Sequence, residues 1–570
     1  MQGLTKQWLT PDASDPALSI AQRILGARGY TSKDQRDAFL DPKLSMLDDP
    51  STLHGADQAA DILCNALKEG KKVLVFGDYD ADGITASTVL FHIIATATGR
   101  EGPTIYIPDR IDEGYGIRPE VMDGFATSGI DLVISVDCGI TAVETAQRAK
   151  ELGISLIITD HHKPREDGQL PDCDAIVHPG LTGEPTTPLA GVGIAYQLAW
   201  AFARAWSNSH HVNDQLKQTL LDMIPLVAIG TIADMVPLVQ GNRTFARWGL
   251  QLLPDTKIPG LQAIMEQLDT PKKKLNTSHV SFGIAPLINA VGRLAHAATA
   301  VDLLTRLEGD LARSAAGELA DLNRARQGIQ REIVAQALEQ INEEKLEEQS
   351  IIVLQNDEWK QGVVGVAAGK CIDAHYRPTI LLSGKGDELI GSARSISGFS
   401  IFDALTACRE HLVTYGGHDM AAGLTVKRDR YEDFVDAITQ YAKETIAPEL
   451  LVPTIKPDVF ADLNEITHSS AIEIEKIGPF GVGNPTPIVQ IMSVPVDEAK
   501  AMGKEGSHLS MRIGRSSQNL LRCVWWNRGS LQSKIQRGMV VDLVGTVKIN
   551  EFRGNYSAEL DLLDIALPST

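Results

Sequence analysis

Three short apolar runs punctuate the first third of the chain, and the first two are each followed by a stretch of helical period. "KKVLVF" (71–76) leads into "GITASTVLFHIIATAT", "DLVISV" (131–136) into "AVETAQRAKELG", and "SLIIT" (155–159) closes the series. Short β-branched runs alternating with helical patterns predict βαβ units around a parallel sheet. Helical pattern dominates from 190 to 235. The stretch 297–349 is rich in Ala, Leu, Glu, Gln and Arg and free of proline, which predicts one long helix, or two, connecting domains. Strand-like runs return at 350–355 and 379–383, and the glycine-rich stretches 383–398 and 415–423 are expected as turns of a second α/β domain. Pro448, Pro453 and Pro457 mark a linker. Beyond it, "GPFGVGNPTPIV" reads as loop leading into strand, and alternating strands continue to 565.

Length changes this picture only by requiring several cores: 570 residues fit roughly three or four domains. The expected division is 1–296, a connecting helix over 297–349, an α/β domain over 350–447, and a linker with a β-domain over 448–570. No apolar stretch reaches the ~18–20 residues of a membrane helix, and the N-terminus lacks the pattern of a secretory signal. The six cysteines are scattered without a C-x-x-C pair, which argues against structural zinc and disulfides and fits a reducing cytoplasm. Net charge is −20, which taken alone disfavours a polyanionic partner. Residues 500–556 differ, with ten Lys/Arg against Glu505, Asp542 and Glu551, a local balance of +7. Much of the excess acid lies in "LEQINEEKLEEQ" at 338–349.

Candidate chemistry sits at the ends of the three apolar runs. "GDYDADG" places Asp78, Asp80 and Asp82 two residues apart. A calcium loop begins with the same pattern, but it needs Glu at its twelfth position and a helix leading in. Here the twelfth position is Val89 and a β-rich run leads in, so that reading fails. Asp137 ends the second run ("SVDCG"), Asp160, His161 and His162 follow the third ("TDHH"), and Asp234 lies in the apolar "AIGTIADMVPL". In open parallel sheets ligands bind outside the carboxyl ends of the strands, so these side chains converge on one edge. Taken singly, Asp137 and Asp234 read as helix caps or turn residues and the histidines as a surface pair. Capping does not require every strand end to carry a metal-type ligand, and the set points to metal. Asp/His ligation without Cys favours magnesium or manganese, and two ions bridged by a carboxylate and a water suit phosphoester hydrolysis. There is no G-x-x-x-x-G-K-[ST], H-E-x-x-H or G-x-S-x-G, and "GVGIAY" is an incomplete dinucleotide fingerprint.

"GDYDADGIT", "VDCG", "TDHH", "GTIADMVPL" and "INAVGRL" resemble, in order, the motifs of the DHH phosphoesterase family. "GSARS…FSIFDAL" and "YGGHDMAAGLTV" resemble its DHH-associated domain, and "PFGVGNPTPI" with the basic C-terminal module resembles the branch of single-strand-specific 5′ exonucleases. The resemblance implies an α/β fold: a parallel-sheet DHH domain and a second α/β domain joined by a long helix, with a C-terminal OB-like β-barrel. It implies metal ligation by Asp80, Asp82, Asp137, His161 and Asp234, with Asp78 a nearby candidate, His162 facing the substrate phosphate and Asp160 orienting the histidines. Asp82, Asp137, His161 and His162 are thus the candidate catalytic group, around two Mn or Mg ions. Arg110, Arg293, Ser392 and Arg394 resemble residues that hold a DNA 5′ phosphate, and His418 stands beside a glycine turn. The family pattern has His at the position of Lys360 and Asn at that of His178. In the C-terminal module Trp525, Trp526, Phe552 and Tyr556 interleave with Arg528 and Arg553, the mix of stacking platforms and positive groove of an OB barrel, with one tryptophan of the pair expected in the core. The implied function is a single-strand-specific 5′ to 3′ DNA exonuclease of recombination and repair, releasing 5′ mononucleotides. Single-strand-binding protein and a RecQ-type helicase are the implied partners. The competing readings are a DHH phosphodiesterase for short oligoribonucleotides or cyclic dinucleotides, and a non-catalytic single-stranded-DNA-binding scaffold.

Overall fold

The computed structural model describes residues 1–109, 113–114, 116–181, 183, 187–268, 275–294 (backbone alone for 291–294), 298–384, 386–514 and 520–567. They fall into two compact units. One comprises Ala38–Arg324 and Gly478–Pro485; the other comprises Met1–Asp37, Ala325–Ile477 and Thr486–Thr570.

In the first unit, strands β1 (Val73–Gly77), β2 (Thr104–Tyr106), β3 (Leu132–Val136), β4 (Ser155–Thr159) and β5 (Ala175–Val177) form a parallel sheet in the order β2-β1-β3-β4-β5. β1, β3 and β4 are apolar at nearly every position because helices cover both faces. Val75, Ile134 and Ile157 join the large core around helices α1 (Ala81–Thr98), α2 (Gly191–Ser207) and α3 (Asp214–Ala233). Leu74, Phe76, Val133 and Ile158 pack on the other face against Met122 and Phe125. α3 is long and apolar enough to cross a membrane by length and composition, but 67% of that window is buried inside the protein.

Register sets the functional edge. Gly77 lies beside Val136, Val136 beside Thr159, and Thr159 beside Val177. The four strands therefore finish level, and Asp78, Asp137, Asp160 and His178 leave the sheet side by side.

In the second unit, β6 (Ile352–Gln355), β7 (Thr379–Ser383), β8 (Glu388–Arg394), β9 (Leu412–His418) and β10 (Ala421–Lys427) form a mixed sheet in the order β9-β10-β8-β7-β6. The glycine-rich stretches expected as turns are thus largely strand. A Cβ on Gly391 would lie 2.6 Å from Leu382 Cδ2 and 2.7 Å from Leu381 O, and one on Gly417, at φ +143°, would lie 2.4 Å from Ala421 O. Glycine in a strand marks such close approach, and composition alone does not separate this from a turn.

The expected connecting helix is two helices, α4 (Ala298–Thr305) and the 36-residue α5 (Gly309–Glu344). The C-terminal strands β11 (Val489–Met502), β12 (His508–Ile513), β13 (Leu521–Trp525), β14 (Val540–Phe552) and β15 (Asn555–Ala566) pair in the order β11-β12-β13-β15-β14, and β14 returns to β11. That closure makes the barrel.

Residues 1–37, expected with the first domain, bind this barrel instead. Asp564 on β15 is 0% exposed and accepts from Thr5 N (3.0 Å), Thr5 Oγ1 (3.0 Å), Lys6 N (3.0 Å) and Trp8 Nε1 (2.8 Å). A buried carboxylate is tolerable only with such a full set of donors. Arg23 adds a bond to Phe460 O at 2.9 Å and Arg28 an ion pair with Asp458 at 2.9 Å.

Candidate metal centre

Backbone N–H groups hold three of the acids at the sheet edge, Asp80, Asp82 and Asp160. Asp80 caps α1, its Oδ1 accepting from Asp82 N (2.9 Å) and Gly83 N (3.1 Å), so the capping role open to any of these acids is real here. Asn289 Oδ1 takes the Ala81 N–H of the same turn at 2.7 Å. Asp82 points the other way, into the start of α2, where Gly191 N (2.6 Å) and Val192 N (2.9 Å) donate to its two oxygens. Asp137 adopts a left-handed backbone, φ +62°, a conformation Asp tolerates better than most residues.

Two glycines leave room for these carboxylates. A Cβ on Gly191 would lie 2.5 Å from Asp137 Cβ and Oδ1, and one on Gly230 would lie 2.6 Å from Asp82 Oδ1. Both glycines lie in stretches noted above, "GVGIAY" and "GTIADMVPL", but this role does not show there, because each contributes an absence of atoms.

The "TDHH" segment is fixed on both sides. Asp160 Oδ1 accepts from His161 N (2.8 Å), His162 N (3.1 Å) and the His162 ring at Nδ1 (2.8 Å), while its Oδ2 accepts from Ile140 N (2.9 Å). His178 accepts Gly180 N–H at Nδ1 (2.9 Å), so its Nε2–H donates to His162 O (2.8 Å). Its sequence gave no hint of this role, which depends on β4 and β5 ending level.

Ligand-type atoms converge in three sets, each within 4.8 Å: Asp137, His161 and His162; Asp82, His161 and Asp234; and Asp78, Asp80 and Asp137. Asp137 and His161 each serve two sets, as in a pair of adjoining centres. His161 Nε2 lies 3.1 Å from Asp137 Oδ1 and 3.7 Å from Asp234 Oδ2, is buried, and makes no hydrogen bond. Lone pairs of a neutral imidazole and two carboxylates that face one another repel unless a cation or protons stand among them. This donor set of oxygens and one or two imidazole nitrogens fits a hard or borderline divalent ion.

Electrostatics follow from burial. Asp82 and Asp137 are pushed well above the usual carboxylate range, by burial first and by the neighbouring acids second. Asp234 rises to about 7 for the same reasons, with Asp80 the main neighbour. Burial and the charge of His162 lower His161 to about 4, which leaves it a neutral ligand at neutral pH. Burial would lower His162, but the Asp160 hydrogen bond and charge override it and raise its pKa. Burial would raise Asp160, yet the His162 ring and the backbone donors hold it low.

The remaining candidates fall in the second unit or outside the described residues. Arg110 lies outside them, as does the side chain of Arg293. Arg394 on β8 donates from Nη1 to Ser392 Oγ (2.8 Å) and Ala393 O (2.8 Å). A Cβ on Gly365, in the helix Gln361–His375, would lie 2.9 Å from Arg394 Nη2 and 2.8 Å from Ser392 Oγ, so this pair sits on the early turns of that helix. His418 pairs across to Ala421, and Ala421 to Arg394, which puts His418 two strands from the guanidinium in one register line. His418 is at the end of a strand, and Lys360 caps the helix carrying Gly365.

On the barrel, Trp525 is 4% exposed, a core residue of β13, and is removed from the candidate DNA-binding group. Trp526 is 51% exposed, edge-on to His508 with ring centroids 4.9 Å apart. Phe552 and Tyr556 are exposed at the β14–β15 hairpin, and the Arg553 guanidinium lies 5.3 Å from the Phe552 ring. Arg528 is exposed. The basic excess is smaller than the +7 window indicates. Arg522 pairs with Glu559, Lys548 with Asp561, and Arg537 with Asp497 at 3.1 Å. These acids flank the counted window; over the whole barrel, 489–566, ten basic side chains face eight acidic ones.

Comparison with known proteins places these features together. Sequence models match in chain order: the DHH family, N-terminal domain, over residues 72–231; the DHHA1 domain over 348–444; and the RecJ OB domain over 457–564. The chain is 36% identical to the single-stranded-DNA-specific exonuclease RecJ of Bacillus subtilis, over 96% of this chain and 68% of that protein. It is 33% identical to the RecJ of Salmonella typhimurium, over 96% of this chain and 95% of that protein. The chain belongs to the RecJ family. RecJ structures agree: the crystal structure of Thermus thermophilus RecJ in complex with Mn2+ is similar with a TM-score of 0.82 at 28% identity, covering 99% of this chain and 80% of that one. The Mg2+ complex of the same RecJ has a TM-score of 0.77 at 26% identity, covering 99% and 79%.

Proposed function

We infer that this chain is a metal-dependent, single-stranded-DNA-specific exonuclease working 5′ to 3′ and releasing 5′ mononucleotides. The observation that carries the reading is the convergence of five aspartates and two histidines on one sheet edge, in a RecJ-family chain that ends in an OB barrel. Asp78, Asp80, Asp82, Asp137, His161 and Asp234 would hold two divalent ions, Mn or Mg. Bound there, such ions supply Lewis acidity and a water acidified for attack on a phosphodiester.

The chain's own groups do the rest. Asp160 holds the His162 ring through Nδ1 and raises its pKa, which favours the protonated ring that could donate to the phosphate or the departing oxygen. Gly191 and Val192 N–H groups fix Asp82, so its oxygens need no reorganisation during the reaction. Ser392, Arg394 and His418 are assigned to the 5′ phosphate, for which a guanidinium offers paired donors, and would so set the polarity; Arg110 and Arg293 carry the same assignment from the family resemblance alone. Trp526, Phe552, Tyr556, Arg528 and Arg553 engage the strand further along.

The accompanying domain scheme is a catalytic domain to 296, the helical connector to 349, the DHH-associated domain to 447, and the barrel with residues 1–37 added to it. Work in recombination and repair, in the cytoplasm and with single-strand-binding protein and a RecQ-type helicase, belongs to the same reading.

The test is digestion of 5′-labelled and 3′-labelled single strands with manganese, magnesium or chelator, with duplex as control. Early release of labelled mononucleotide from the 5′ end alone, lost in chelator and weak on duplex, is the expected result. Survival of long strands with cleavage of dinucleotides would move the assignment to a small-substrate phosphodiesterase. Binding without cleavage under any metal would leave a scaffold. Arg394→Ala should slow cleavage of 5′-phosphorylated strands more than of 5′-hydroxyl ones; equal losses would take Arg394 out of the phosphate group.

A further inference from the structure

Helix α3 ends at Ala233 with Asp234 as its cap, and the next residue, Met235, has φ +60°. The first residue past a helix end commonly turns left-handed, and glycine is the usual occupant because a Cβ is disfavoured there. An unbranched apolar side chain at this position needs a compensating contact, and the fold supplies little: Met235 is 68% exposed. The turn itself is firmly held. Asp234 N donates to Gly230 O at 2.9 Å and Leu238 N to Val482 O at 2.7 Å. Val482, itself 42% exposed, borders the same turn, where a Cβ on Gly483 would lie 3.0 Å from Pro237 Cβ. A rigid, strained turn thus displays an apolar side chain one residue from an acid of the metal centre, at a site where glycine would relieve the backbone. Residues held in disfavoured conformations beside a reactive site point to function.

Building on the exonuclease reading, we propose that Met235 is a strand-contacting residue whose side chain packs on the base of a nucleotide entering the acid cluster. The occupant is a nucleobase rather than a phosphate or a peptide. The surface is apolar, it adjoins the group that receives the phosphodiester, and a polarisable thioether packs on the face of any base without reading its identity. The contact favours unstacked bases, and so single strands.

Met235→Gly tests this, because it removes the contact while easing the turn. The expected result is unchanged or higher Tm, unchanged metal affinity, and kcat/KM on single-stranded DNA lower by about fivefold, carried by KM. Affinity for the same strand in chelator, read by fluorescence anisotropy, should fall by a similar factor. On a strand whose first three 5′ residues are abasic, the two proteins should match, and Met235→Leu should behave as wild type on both substrates. The proposal is overturned if Met235→Gly binds and cuts the normal strand as well as wild type, or if its deficit persists undiminished on the abasic strand. Failure of the wild type to cut any strand would overturn the exonuclease reading instead, while the chelator binding comparison would still decide the Met235 contact.

Discussion

The acid edge of the parallel sheet and the surface of the C-terminal barrel both carry many charges, but they are built on opposite terms. At the edge, Asp78, Asp82, Asp137 and Asp160 are buried, and backbone donors or glycine cradles hold the acids in place. On the barrel, charges of both signs are more exposed and often neutralise one another across strands. Buried like charges are expensive and persist where a cation or proton resolves them, so the edge announces a ligand. Paired surface charges contribute little and announce nothing. What distinguishes the barrel surface is its exposed aromatics.

The contrast is broken most severely at Asp82. Asp82→Ala should reduce hydrolysis below about 1% of wild type while strand binding survives, since the barrel is untouched; strong residual turnover with binding lost would invert the two roles. Gly191→Ala comes next, a methyl group driven against Asp137, with an expected loss of about 100-fold in activity and weaker metal binding by calorimetry. Unaltered activity would mean that the cradle can give way. On the barrel, Trp525→Ala should cost about 3–5 kcal/mol of stability, as for any core tryptophan, by denaturant titration. Trp526→Ala should leave stability nearly unchanged and weaken strand binding about fivefold to tenfold. Swapped phenotypes would reverse the burial assignment.

The smallest expected effect is a pH dependence. Asp234, with its pKa raised to about 7, contributes stability to the metal-free protein that is complete below about 4 and lost as pH rises through about 7. Divalent metal replaces the proton, so the rise in Tm on adding manganese should grow between about pH 6 and pH 8, with proton release on binding. A metal-induced shift independent of pH would show that Asp234 is already ionised without metal.

The acid edge was legible because its ligands follow apolar runs directly, and strands in one parallel sheet present such residues together. Asp137, weak on its own, gained meaning from Asp78 and His161. Gly191 and Gly230 were not legible, since what matters is a side chain absent opposite a carboxylate far away in sequence. His178 stood out only as a departure from the family pattern, and the hydrogen bond that explains it needs two strands to end level. The +7 balance misled because pairing in a barrel joins residues distant along the chain, so a window drawn by sequence counted Arg522 and Lys548 without Glu559 and Asp561. The glycine stretches misled for the related reason that a strand closely approached by its neighbour has the composition of a turn.

The clasp of Thr5, Lys6 and Trp8 around Asp564 joins residues up to 559 positions apart. During translation, Thr5, Lys6 and Trp8 are therefore made long before the strand that holds them, and the parallel sheet can assemble before Asp564 is in place. The terminal amine is itself engaged, donating to Trp8 O at 2.8 Å. An affinity tag fused ahead of Met1 would consequently bear on the clasp around Asp564.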